Sequence, residues 1–141
     1  MRYDDCEPAA FLNVDLVVDS VVPLQPFIDA LGDGPVVLYH GKFGRQWRAV
    51  LEFALPGGPE GAIQEFIKLL TRLPRRARSL WDQASRRTFD IGIQGGPGRQ
   101  PLELQVSAEA AGAAAALGAG IQVTVYAPAR VSPQQRKRRA T

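Results

Sequence analysis

The sequence predicts an α+β domain built as a two-layer sandwich, with a mixed, mainly antiparallel sheet and its helices on one face. Three observations lead there. Several segments alternate apolar and polar residues with period two, the pattern of strands that bury one face and wet the other; a sheet covered on both sides reads as continuously apolar. Between them lie stretches whose apolar residues recur at helical spacing. The chain has 141 residues, 45% of them hydrophobic and 22% charged. That is one domain's length, with enough apolar material for a core and too much for a disordered chain.

Taken in order, residues 1–10 are a polar lead and 11–127 the domain. Phe11 to Ser20 reads as a strand, Leu12, Val14, Leu16 and Val18 alternating with Asn13, Asp15, Val17 and Asp19. Leu24, Phe27, Ile28 and Leu31 fall at i, i+3, i+4 and i+7, a short helix stopped by Gly32. Val36 to His40 is a second strand, and Gly41 to Gly44 a loop. Gln46 to Leu55 is a third strand, with Trp47, Ala49, Leu51 and Phe53 facing one way and Gln46, Arg48, Val50 and Glu52 the other. Ile63, Phe66, Ile67 and Leu70 then form the stripe of a helix. Pro74 re-aims the chain, because proline lacks an amide donor and clashes with the preceding turn, into a second helix with Ala77, Leu80, Trp81 and Ala84 inward. Arg87 to Gln94 is a fourth strand, and the Gly/Pro-rich residues 95–101 suggest a hairpin onto a fifth, Leu102 to Val106. Ser107 is placed to cap a helix over Ala108 to Leu117, and Ile121 to Tyr126 closes the sheet. Residues 128–141 contain Arg-Lys-Arg-Arg and no apolar period, the composition of a disordered basic tail.

Two stretches share a grammar. A strand at Leu16–Ser20, a helix ending Ala30-Leu31-Gly32 and a strand at Val36–Tyr39 parallel Leu102–Ser107, a helix ending Ala116-Leu117-Gly118 and Ile121–Tyr126. Such a pseudo-repeat of strand-helix-strand units implies a ferredoxin-like plan. Phe89-Asp90-Ile91-Gly92-Ile93, Leu102 to Glu109, Ala116-Leu117-Gly118 and Val123-Thr124-Val125-Tyr126 together resemble the closing part of the bacterial proteins grouped as domain of unknown function 4279. The resemblance is clearest over residues 85–127. It implies a small uncharacterised α+β domain, some of whose relatives look like immunity or accessory proteins, and it carries over no site residue.

Function is bounded mostly by exclusion. No apolar run is long enough to span a bilayer and the start of the chain is too acidic for a secretory signal, so a cytoplasmic protein without membrane partners is expected. The single cysteine, Cys6, has no internal disulfide mate, and a single histidine, His40, removes the usual zinc constellations. The loops Gly41–Gly44 and Gly95–Arg99 lack phosphate-loop spacing and lead into strands, so no helix N-terminus faces a phosphate. No catalytic residue, cofactor or metal is expected.

Charge is unevenly spread. Residues 1–127 carry 12 basic and 14 acidic side chains, net −2, while five basic residues follow; the overall +3 belongs to the tail. Two surfaces remain as candidates. One is the polar face of the sheet, with Asp15, Arg48, Glu52, Asp90, Glu103, Gln105 and Thr124 pointing away from the helices. The other is the basic patch Arg72, Arg75, Arg76, Arg78, Arg86 and Arg87, diluted by Asp82 and lacking an aromatic stacking platform. The expected function is a non-enzymatic interaction module that binds a protein partner or itself. A nucleic-acid accessory role through the tail and the arginine-rich helix ranks second.

Overall fold

The computed structural model describes residues 6–53, 57–98 and 100–130. The chain runs β1 (Ala10–Ser20), α1 (Gln25–Leu31), β2 (Val36–Phe43), β3 (Gln46–Glu52), α2 (Pro59–Thr71), α3 (Arg75–Gln83), β4 (Arg86–Gln94), α4 (Ala108–Ala116) and β5 (Gly120–Tyr126). The five strands form one sheet in the order β2-β3-β1-β4-β5. β1 lies antiparallel between β3 and β4, β2 pairs antiparallel with β3, and β5 runs parallel to β4. The expected mixed, mainly antiparallel sheet is thus observed.

β1 takes the centre, flanked by β3 and β4, and its second half, Leu16 to Ser20, is buried throughout. The inward residues of β1, β3 and β4, namely Val14, Leu16, Val18, Ala49, Leu51, Phe89 and Ile91, join Phe27, Ile63, Phe66, Trp81 and Ala114 of the four helices in one core cluster. All four helices therefore cover the same face. Phe27 and Trp81 stack at 5.8 Å, and Phe66 meets Phe53 edge-on at 4.7 Å. Each fully buried side chain of this size contributes roughly 1.5–3 kcal/mol. Trp81 also satisfies its indole N–H, which donates to the carbonyl of Leu117 at 2.9 Å and so ties α3 to the end of α4. The Ser107 hydroxyl accepts from the Ala110 amide at 3.1 Å, the predicted cap. Glu60 at the start of α2 accepts from the Ser107 amide at 2.5 Å, joining the two helix starts, and hydrogen bonding from the Ser107 hydroxyl first and its amide second holds the Glu60 carboxyl below the usual range.

Several expectations need correction. Leu102 to Val106 is not a strand. The segment pairs with no described strand, because β1 and β5 occupy both edges of β4. Its alternation has another cause: Leu104 and Val106 pack down on the core while Glu103 and Gln105 face solvent. The second unit of the pseudo-repeat therefore lacks its first strand. Residues 95–101 do not close a hairpin either. A Cβ on Gly96 would stand 2.1 Å from the Ala9 amide nitrogen and one on Gly95 2.7 Å from the Tyr126 carbonyl oxygen, so this loop is where the N-terminal lead and the exit of β5 press close. There Glu7 donates its amide to Ala129 and Cys6 bridges to Arg130. β2 continues through Gly41 to Phe43, and the reversal falls at Gly44, which holds φ at 63°. The part of the third strand expected at 54–55, half of the lead at 1–5 and the tail from 131 lie outside the described residues.

Candidate functional site

On the wet face, strand register sets the arrangement. Asp15 stands opposite Glu52 on one side and Asp90 on the other, so three carboxylates form a row across β3, β1 and β4. Two neutral donors reach into the row: Asn13 donates to Glu52 at 3.2 Å and Thr124 to Asp90 at 2.7 Å. One oxygen of Asp15 is buried with no hydrogen-bond partner. Burial first, then a hydrogen bond to Glu52 and the charges of Glu52 and Asp90, push the Asp15 carboxyl up to about 7. Two acids in direct contact share a proton.

A second row lies four residues along β1. Arg48 donates to both oxygens of Asp19, at 2.7 and 2.9 Å, and its guanidinium lies 3.6 Å over the ring of Phe43. The bond to Asp19 raises the Arg48 pKa. Arg86 donates to Gln122 at 3.0 Å and to Thr88 at 3.3 Å. The face is thus stitched across its strands, acid row to amide and hydroxyl, arginine to aspartate and glutamine. Among the described residues no group of His, Cys, Asp and Glu is arranged to hold a metal ion.

The structure brings Asp15, Arg48, Glu52, Asp90 and Thr124 onto one face, as the alternation implies. Glu103 and Gln105 are not there, since their segment crosses the helix side outside the sheet. Asn13, Asp19 and Arg86 complete the network. The period-two pattern held the signal for them, but only the register shows which polar residues meet. His40 faces the helix side opposite Ala49, tilted against Trp47 with ring centroids 6.0 Å apart.

The six arginines do not converge. Arg72 ends α2, and Arg75 and Arg76 are exposed at the start of α3. Arg78 is paired with Asp82 at 3.0 Å. Arg86 belongs to the wet face of the sheet, while the Arg87 guanidinium lies 5.9 Å from the Trp81 ring.

A third surface was not anticipated. β5 is an edge strand, and its inward residues, partners of Phe89, Ile91 and Ile93, remain open: Ile121 is 43% exposed, Val123 55% and Val125 64%. α4 packs on α2 and leaves them bare. An apolar groove of about 370 Å³ runs beside the strand, walled by Ile91 and Ile93, by Ile121 and Val123, and by Leu102, Leu104 and Val106. From residue 110 to 129 there is no charged side chain. The sequence did not reveal this site because alternation shows that Ile121, Val123 and Val125 share a face, not whether a helix covers them. The opposite edge, β2, also exposes apolar side chains, yet it carries Lys42 and a register shift between Val37 and Tyr39. A charge and a bulge are devices that discourage strand addition.

Comparison with protein-family models, with curated proteins and with solved structures finds no match to this chain.

Proposed function

We propose that the protein is a non-enzymatic protein-interaction module whose docking element is the open edge of β5. The observation that carries this reading is the conjunction on one strand of an outer edge that no described strand pairs, three exposed branched apolar side chains and no charge. An edge of that kind accepts an added strand, with main-chain hydrogen bonds supplying affinity and the groove receiving side chains. The polar face of the sheet supports the reading by contrast, since most of its groups pair with one another, one oxygen of Asp15 excepted. The test compares proteins captured by the full chain and by Val123→Lys, which sets a charge in the groove. Partners that depend on β5 disappear with the variant; an unchanged set removes β5 from the function.

Two finer statements belong to the same reading. The order β2-β3-β1-β4, with β5 appended, follows a ferredoxin-like β-α-β-β-α-β plan. Kinship of residues 85–127 with domain of unknown function 4279 is supported by the succession of β4, the Ser107 cap, Leu117-Gly118 and β5, although the segment before the cap is no strand. A bacterial, cytoplasmic setting and an accessory or immunity role go with that kinship. The nucleic-acid reading ranks below, because the arginines of α3 and β4 are dispersed and partly engaged with acid, amide and ring.

A further inference from the structure

We propose that the occupant of the β5 edge is a second copy of this chain, its β5 running antiparallel across a two-fold axis so that two five-stranded sheets become one of ten. This rests on the reading of β5 as the docking edge and narrows it to one partner.

The argument begins with charge. Across a two-fold axis the strand meets a second copy of itself, so a strand of net charge repels its partner. β5 and its flanks from residue 110 to 129 hold no charge at all. Side-chain pattern comes next. With Val123 on the axis, Ile121 faces Val125 of the other copy, Gln122 faces Thr124, and Gly120 faces Tyr126. Apolar meets apolar on the groove side, amide meets hydroxyl on the wet side, and the smallest residue meets the largest. These branched pairs are the kind that stabilise antiparallel strands. The exposed Ile121, Val123 and Val125 of each copy are covered by their counterparts, which is where the single chain leaves its apolar face unfinished.

Closure supplies the third argument. A symmetric pairing consumes both β5 edges and exposes no new one. What remains at the two ends of the ten-stranded sheet is β2, the strand that bears the bulge and Lys42. A head-to-tail pairing of β5 with β2 would instead propagate into a filament, and the bulge at Leu38 interrupts the ladder that such a pairing needs. The protected edge and the unprotected edge are thus distributed as a closed dimer requires.

Sedimentation equilibrium of the full chain over a concentration series tests this. The expected mass rises to twice 15.3 kDa. Val123→Lys returns it to a monomer with an unchanged circular dichroism spectrum, and Leu38→Lys on the other edge leaves the dimer intact. Should Val123→Lys fail to fold, Val125→Glu, at the most exposed of the strand's large apolar side chains, takes its place. A single-chain mass at every concentration overturns the second copy, as does a dimer that survives charges on β5 or breaks with the one on β2. A monomer whose captured partners still depend on Val123 overturns the dimer and leaves the docking reading standing; a monomer whose partners ignore the variant overturns both.

Discussion

Asp15 shows how far one residue's setting departs from its sequence. Alternation places it on the wet face, but not between two other carboxylates, with one oxygen buried and unpartnered. In the unfolded chain it titrates at the ordinary 3.8, in the fold at about 7, chiefly through burial and contact with Glu52. Below pH 4 the proton is held in both states and the full contribution to stability is present. As pH rises to 7 the unfolded chain releases a proton that the fold retains, so stability falls across that window and the contribution is gone above it. Because Asp15 is only partly buried, solvent screening reduces the effect to roughly 1–2 kcal/mol. Urea titrations at pH 5 and pH 8 should show this decline in the wild type and a flatter profile in Asp15→Asn, with the variant the more stable at pH 8; equal slopes in both would remove Asp15 as the cause. Gly96 is a second case. Its place in a loop is plain from Gly95-Gly96-Pro97, but not the backbone of Pro8 and Ala9 lying where a side chain would go. Gly96→Ala should cost about 2 kcal/mol in urea denaturation, since main chain has to move; a loss of only a few tenths would mean that the lead yields freely.

Among the elements, those with a strong period were legible. Of the stripe Ile63, Phe66, Ile67 and Leu70 all but the partly buried Ile67 are buried, as are Phe27 and Leu31 of α1 and Ala77 and Trp81 of α3, while Leu80 is partly buried. Residues 102–106 were misread because period two reports alternate burial, and a single extended segment lying on a core produces it without any ladder. The end of β2 was missed for the opposite reason: Gly41 and Lys42 look like loop, yet pairing with Arg48 and Trp47 of β3 holds them in the sheet. The Ser107 cap was legible because it needs only local chemistry. Its bond to Ala110 and its amide's bond to Glu60 make it a joint between α2 and α4. Ser107→Ala should cost about 1 kcal/mol, the usual loss when a helix start gives up its oxygen. Chemical denaturation checks it, and a neutral result would show that the Glu60 bond alone fixes the helix start.

Over the whole molecule, the division of charge was readable from the sequence and the division of surfaces was not. Counting residues separates a body of net −2 up to residue 127 from a basic C-terminus, whereas the dispersal of the body's arginines over α2, α3 and two sides of β4 needs the fold. The two facts together make a prediction about nucleic acid. Affinity for a duplex comes from neutralised phosphates, each releasing counterions. The described body presents no converged arginine surface, while residues 136–139 hold four adjacent cations. The full chain should therefore retard a double-stranded oligonucleotide weakly at low salt, with a slope of log affinity against log salt of about −3 to −4, as four contacts give. A chain ending at residue 130 keeps the Glu7 bond to Ala129 and the Cys6–Arg130 bridge. It should melt at nearly the same temperature and bind no duplex. If the shortened chain instead binds as tightly as the full one, with the same salt dependence, the arginines of the body act together after all, and the nucleic-acid role displaces the protein-interaction reading.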